Sequence, residues 1–442
     1  MGRVPEMRAQ VAQVSGYRDA LDAAWARHLA PRRAGAPTVA STFAGCGGSS
    51  LGYSMAGFRE LAASEWDADA RASFGLNFPG VPVLGGDIRE LSAGELMEAA
   101  GASPGELDVL DGSPPCQGFS TAGKRELGDM RNQLYNEFAR LLEGVRPRAF
   151  VMENVWGMVK GKMKLVFADC MRKLKAAGYD VRCARLNAMW FGVPQSRERL
   201  VFVGVREGLG ARPRHPRPTV GRPLTVLEAI GDLFGEGKRK IVPHGGGWWK
   251  GTEWDVDVPL PAALATRAPT LWIANQGRDG KALHVSSGAA PMRLKPADGP
   301  MPAIGIREGY IGTPALGDRY GAAWGDVPPG GNAGDVLGRG QNSCVKPHPG
   351  RPSMTLPAMQ GRHGFATVVH WAEKRPLTVA EAKRIQSFPD QFRLAGGYTS
   401  GWRQVGNAVP PLMMEAVALC VAATLAEADG HADQAGAGGE AR

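Results

Sequence analysis

The sequence predicts an α/β protein: a doubly wound, mostly parallel sheet joined to a second, smaller, loop-rich β lobe. Three observations lead there. From Thr38 to about Val205 short apolar runs (TVASTF, VPVL, LDVLDG, RAFVMENV, VRCARLNA, RLVFVGV) alternate with helical patterns such as LYNEFARLLEGV and KLVFADCMRKLKAAG. That alternation is the mark of strands linked by crossover helices. From about Arg206 to Lys374 the periodicity gives way to Gly, Pro, Trp and Arg, as in PHGGGWWKGTEW and WGDVPPGGNAGDVLGRG, which reads as a separate lobe. The length, 442 residues, exceeds what one hydrophobic core usually serves.

Taken in order, residues 1–37 form an N-terminal extension in which Val11, Val14, Leu21, Trp25 and Leu29 recur at helical spacing. Residues 38–205 carry the sheet, and residues 206–374 the loop-rich lobe. Within residues 375–427, LTVAEAKRIQSF reads as one helix and NAVPPLMMEAVALCVAATLAEA as another with proline near its start; this last helix should complete the sheet domain. The tail, residues 428–442, is small and polar and is expected to be disordered.

Composition narrows the function classes. Hydrophobic residues at 43% and charged residues at 21% exclude a wholly disordered chain. A net charge of +9 fits a polyanionic partner. Cys46, Cys116, Cys170, Cys183, Cys344 and Cys420 show neither a CxxC pair nor a regular framework, and the eight histidines show no ligand spacing. No metal, no disulfide scaffold and a reducing cytoplasm are therefore expected. The N-terminus lacks the apolar core of a signal peptide, and the stretch from Leu412 to Leu425, interrupted by Glu415, is expected to be too short to span a membrane.

The first strand runs into FAGCGGSSLGYSMAGF, a Gly-rich turn opening a helix, where missing side chains let a ligand reach the backbone. Ser50 stands where a dinucleotide fingerprint would have its third glycine. Glu65 follows at the spacing at which a second strand end offers a carboxylate to ribose hydroxyls, and Trp66 beside it could stack on an adenine. At the next strand end Asp87 could accept from an exocyclic amine while Ile88 packs on the ring.

LDVLDGSPPCQGFS then presents Cys116 at the carboxyl end of a strand, behind two prolines that fix the backbone. Its polar flanks Ser113, Gln117 and Ser120 suit a reactive thiol better than a packed one. RAFVMENV ends in Glu153, on the same edge if the strands are neighbours. In QSRERLVFVGV, alternation turns Arg197 and Arg199 to one face, an arrangement suited to anion or base-edge contact.

The ordered set Phe-x-Gly-x-Gly-Gly, Glu-Trp, Asp-Ile, Pro-Pro-Cys-Gln, Glu-Asn-Val and Gln-x-Arg-x-Arg, followed by Gly406 to Pro410, resembles the DNA cytosine-5 methyltransferase family of the bacterial type. The resemblance covers about residues 38 to 205 and 375 to 427, with DMRNQL (Asp129 to Leu134) and RPLTVAEAKRIQSFPDQF included. It implies a Rossmann-like methyltransferase sheet and a target-recognition lobe. It also implies S-adenosylmethionine as methyl donor, leaving as S-adenosylhomocysteine, in a site lined by Phe43, Gly45, Cys46, Gly48, Glu65, Trp66, Asp87, Ile88, Pro114, Leu134 and Asn407. Cys116 would be the nucleophile, Glu153 the acid at the ring, and Arg199 with Arg197 the groups holding the base and its phosphate. Gln117, Ser120, Gly123, Lys124 and Arg125 would belong to a loop closing over double-stranded DNA. A monomer is expected, acting in the cytoplasm at the nucleoid of a prokaryote; a cognate restriction endonuclease is the partner such enzymes can have.

Three other readings are weighed. An RNA cytosine methyltransferase would need little sequence between 206 and 374. A silent DNA-binding regulator would have no use for Cys116, Glu153 and Arg199 together. A dinucleotide oxidoreductase leaves Pro-Pro-Cys-Gln and Gln-Ser-Arg-Glu-Arg idle.

Overall fold

The structure, a computed structural model, describes residues 16–115, 134–233, 250–253, 284–286, 327–331, 345–358, 368–373 and 375–439. They fall into two units, one of Ala24–Gly192, Arg197–Arg222 and Val409–Arg442, the other of Met1–Ala23, Val193–Ser196 and Pro223–Ala408. The last helix thus counts with the sheet. Residues 375–408 count with the second unit, and the change of unit expected near Val205 falls after Arg222.

The first helix, α1 (Gly16–Leu29), precedes β1 (Thr38–Thr42), α2 (Gly48–Met55), β2 (Arg59–Ser64), α3 (Ala68–Asn77) and β3 (Val83–Leu84). There follow α4 (Ala93–Ala100), β4 (Val109–Gly112), α5 (Leu134–Val145), β5 (Ala149–Val155), α6 (Lys164–Ala176) and β6 (Tyr179–Asn187). Next come the short β7 (Gln195–Ser196) and the long β8 (Glu198–Arg206). The main sheet has the order β3-β2-β1-β4-β5-β8-β6, parallel throughout except for β8, which runs antiparallel to both β5 and β6. Chain order reverses between β1 and β4, and the crevice outside that switch point is where open α/β sheets bind ligands.

Burial follows strand position. Every residue of the central β1 and β4 is buried, as strands covered on both faces require. The edge strand β6 alternates, exposing Asp180 and Arg182, charges that discourage pairing with another chain. β2, opened by Arg59 and Glu60, is passed over by a search for apolar runs, yet its second half is fully buried. Helices start at side-chain caps where the chain supplies them: Asp67 caps α3, and Ser92 with Glu95 forms a capping box on α4.

Beyond the sheet come α7 (Val226–Ile230), an antiparallel pair β9 (Lys250–Glu253) and β10 (His284–Ser286), and β11 (Ser353–Met354), which pairs in parallel with β7. The second unit is completed by α8 (Val379–Ile385) and α9 (Tyr398–Asn407). The RPLTVAEAKRIQSFPDQF segment owes its composition to a buried ionic cluster. Arg375 makes two hydrogen bonds to Glu381, at 2.8 and 2.6 Å, and Arg384 pairs with Asp390 and Asp232. Glu381 also closes a capping box with Thr378. Breaking one partner of such a pair typically costs about 3–5 kcal/mol.

The last helix, α10 (Pro411–Gly439), corrects one expectation. It continues through most of the tail expected to be disordered, because Ala428, Ala432, Ala435 and Ala437 favour extension of a helix already nucleated. Together with α9 it makes a stretch, Tyr398–Gly430, long and apolar enough to cross a membrane by length and composition alone. Its apolar residues Met413, Met414, Val417, Ala418, Val421 and Leu425 are instead buried within the protein. Gly52 of α2 allows the close approach: a Cβ there would lie 2.6 Å from Met414 Cβ and 2.8 Å from the Pro411 carbonyl oxygen.

Candidate active site

Of the parallel strands, β1 to β4 are followed at one edge by Phe43 to Gly48, Glu65 and Trp66, Asp87 and Ile88, and Pro114. After β1 the chain turns through Phe43 (φ 52°), Gly45 (φ 58°) and Gly47 (φ 99°), left-handed positions that favour glycine and strain the phenylalanine. Among the described residues nothing lies within 4 Å of where a Gly45 Cβ would stand, so the backbone there is open to a ligand. A Cβ at Gly47, by contrast, would meet Phe78 at 2.6 Å. Gly48 begins α2, and Cys46 is buried.

Glu65, leaving β2, accepts from the Gly45 N–H at 2.8 Å and the Asp67 N–H at 2.7 Å. Burial raises its pKa, while those two N–H bonds oppose the shift. It therefore holds the turn as well as facing the site, and each oxygen keeps a further lone pair for a ligand hydroxyl. Trp66 is 71% exposed, an apolar face of a kind that buries itself against a flat ligand. Asp87 is salt-bridged to Arg89, which holds its carboxyl down to about 2. Ile88 is buried in the same apolar cluster against which Phe43 and Leu134, the first residue of α5, pack. Asn407, the last residue of α9, is exposed and belongs to the second unit.

Pro114 follows β4, and its carbonyl accepts from Asn154 Nδ2 at 3.4 Å. This side chain, at the end of β5, was not singled out in the sequence reading; its place beside Glu153 at a strand end was the available signal. Cys116, Gln117, Ser120, Gly123, Lys124 and Arg125 lie outside the described residues.

Glu153 and Arg199 are brought together across β5 and β8. The antiparallel register sets Val155 opposite Arg199 and Glu153 opposite Val201, so the two charged residues are diagonal neighbours on one face. Arg199 Nε lies 2.6 Å from Glu153 Oε1, with both side chains about nine-tenths buried. Arg197 is buried as well; burial and the nearby Arg199 lower its pKa, while Glu153 counters them. Arg199 is shifted in the same direction by burial, again opposed by Glu153. Asn187, at the end of β6, accepts from the Arg197 N–H at 3.1 Å and fixes the backbone there. Gln195, from the same motif, belongs instead to the second unit, where its Oε1 accepts from the Leu356 N–H at 2.9 Å.

This arrangement, a Gly turn with a carboxylate, a proline-led strand exit and a buried acid–guanidinium pair, coincides with a family model. The model for C-5 cytosine-specific DNA methylases matches residues 38–251 and 335–421. The chain belongs to that family. The methylase is 33% identical over 401 residues to the type II methyltransferase M.XorII of Xanthomonas oryzae pv. oryzae, covering 86% of this chain and 83% of that one. To M.AgeI, a type II methyltransferase of Thalassovita gelatinovora, it is 30% identical over 427 residues, covering 85% and 97%. Among solved structures, a protein described as a prophage-encoded DNA modification methyltransferase of E. coli shares the fold, with a TM-score of 0.62, 24% identity and coverage of 88% and 99%. The methylase is a DNA cytosine-5 methyltransferase by family and by these relatives.

Proposed function

We propose that this methylase transfers a methyl group from S-adenosylmethionine to C5 of a cytosine flipped out of a specific double-stranded DNA sequence, through a covalent bond between Cys116 and C6. The observation that carries the proposal is the buried Glu153–Arg199 pair across β5 and β8, with β4, the parallel neighbour of β5, leading through Pro114 toward Cys116 in the chain.

The turn residues fit the methyl donor. Open space at Gly45, the Glu65 carboxylate beside it and the exposed Trp66 suit a nucleoside with two ribose hydroxyls and a flat base. Phe43, Gly45, Cys46, Gly48, Asp87, Ile88, Pro114, Leu134 and Asn407 would complete the site. Bound there, the donor supplies an electrophilic methyl group on a sulfonium.

C5 of cytosine is a poor nucleophile until something adds at C6. The Cys116 thiolate would form that bond, and the electron pair released turns the ring into an enamine. Glu153, steered by Arg199, would stand at N3 and hold a proton there as charge develops. Loss of the C5 proton after methylation would then expel Cys116 and restore aromaticity. A stacked base is out of reach, so flipping is required, at a cost of a few kcal/mol. Gln117, Ser120, Gly123, Lys124 and Arg125 would close on the DNA, and the loop-rich lobe would choose the sequence. In this reading the protein would act in the cytoplasm as a monomer, and a cognate restriction endonuclease is a partner it could have.

The test is transfer of labelled methyl from S-adenosylmethionine to duplex DNA. Cys116→Ala should abolish transfer while calorimetry shows donor binding retained. Turnover within about tenfold of the parent would overturn the nucleophile assignment.

A further inference from the structure

The proposed chemistry makes no use of a second carboxyl at the same edge. Asp111 lies on β4, next to Gly112 and only a few residues before Cys116, and is 2% exposed. Ser49, in the first turn of α2, donates through Oγ to its Oδ2 at 2.6 Å. Tyr53, one turn further on, donates to its Oδ1 at 3.3 Å. From the other side Thr42, the last residue of β1, donates through Oγ1 to the Asp111 backbone carbonyl at 3.0 Å. One residue thereby binds the strand entering the Gly turn, the helix leaving it and the strand running to the nucleophile.

We propose that Asp111 is a positioning residue that sets the methyl-donor turn against the Pro114–Pro115 exit of β4. The inference rests on reading the Gly45 turn as the donor site.

The local packing leaves this contact little slack. β1 and β4 are paired with Ser41 opposite Asp111 and Thr42 opposite Gly112. A Cβ at Gly112 would meet Thr42 Oγ1 at 2.5 Å and the Phe138 ring at 2.7 Å, so the strands can close only around glycine. A buried carboxyl is costly unless its oxygens are bonded, and the two hydroxyls of α2 supply those bonds. Burial nevertheless pushes Asp111 up to about 7, opposed by the Ser49 and Tyr53 hydrogen bonds and reinforced by the Glu153 charge. An apolar residue would pack here at lower cost but would leave α2 without its directional tie. Group transfer is steeply sensitive to such ties, since misplacement by about 1 Å can cost on the order of a hundredfold in rate.

Three variants separate positioning from bulk packing. Asp111→Val removes both hydrogen bonds to α2, and Ser49→Ala removes the shorter of the two. Both should raise the Kd for S-adenosylmethionine and lower kcat/KM for it by roughly tenfold or more, with KM for DNA unchanged. Asp111→Asn should stay within about threefold of the parent, because an amide can accept from one hydroxyl and donate to the other. Donor affinity and kcat within about twofold of the parent in Ser49→Ala would overturn the proposal, and that variant keeps the test open if Asp111→Val does not fold. So would an Asp111→Asn protein as impaired as Asp111→Val. Calorimetry with S-adenosylmethionine reads the donor site directly, so failure of the parent to methylate DNA would count against the function and leave this inference still measurable.

Discussion

Glu153 and Arg199 show how much of the site is a matter of single residues. They lie far apart in sequence and meet because one antiparallel strand enters an otherwise parallel sheet, bringing them to 2.6 Å. In the free protein the guanidinium neutralises and orients the acid; once a base is bound, the same geometry would serve N3. Glu153→Gln keeps a hydrogen-bond donor but cannot deliver a proton, so it should lose most of its turnover, on the order of a hundredfold or more, while DNA binding is retained. Single-turnover methylation beside a DNA-binding titration checks this, and a parent-like rate and pH–rate profile would make Glu153 structural. At this scale the positions of Glu65 just after β2 and of Glu153 near the end of β5 were legible in the sequence. Asp111 and Asn154 were not, because their importance lies in partners on other elements, which periodicity does not report.

At the scale of elements, α1 shows what packing adds to an extension whose role the sequence leaves unread. His28 is buried against α2 and α3, bonding Ser54 Oγ at 2.7 Å and the Asn77 carbonyl at 3.0 Å. A carbonyl can only accept, so Nε2 carries the proton and Nδ1 accepts from Ser54, whose oxygen in turn accepts from Arg32. Burial depresses the His28 pKa from its ordinary 6.5 to about 4, with the nearby Arg32 charge adding to the shift and the Asn77 bond opposing it. The neutral ring therefore contributes stability that is fully present above pH 6.5 and is lost as pH falls toward 4, where the unfolded chain takes up the proton first. Thermal melts at pH 7.5 and 5.0 should show a larger loss of Tm for the parent than for His28→Gln. Equal losses would mean that His28 does not titrate in this way. The same scale explains why the tail was misread while the helix before it was legible: α10 packs a face on α2, a tertiary fact that local composition does not carry into the residues beyond it.

For the whole molecule, the division of labour is the open matter. The strand alternation was legible because central parallel strands must be apolar on both faces, and the sheet order sets the Gly turn after β1 and the proline exit of β4 on the two sides of a switch point. The lobe between 206 and 374 gave little to read: irregular, Gly-rich chain owes its conformation to contacts rather than to a repeat. Trp248, Trp249, Trp254, Trp272, Arg278, Arg307 and Arg339 fall outside the described residues. Arginines on such loops can read guanine in the major groove, each good pair giving about 1–3 kcal/mol of discrimination. Exchanging residues 206–374 for the lobe of a relative of different specificity should move methylation to the donor's sequence, as mapped on DNA from the expressing host. An active chimera that still modifies the original sites would make the lobe a scaffold.

The central claim is that the reaction ends with a methyl group on C5 of cytosine in DNA. Duplex DNA incubated with the protein and labelled S-adenosylmethionine, then digested to nucleosides, tests it most directly. The account predicts all of the label in 5-methyldeoxycytidine, and none there with Cys116→Ala. Label on adenine or on the exocyclic nitrogen of cytosine, transfer to RNA in preference to DNA, or full transfer by Cys116→Ala would contradict it.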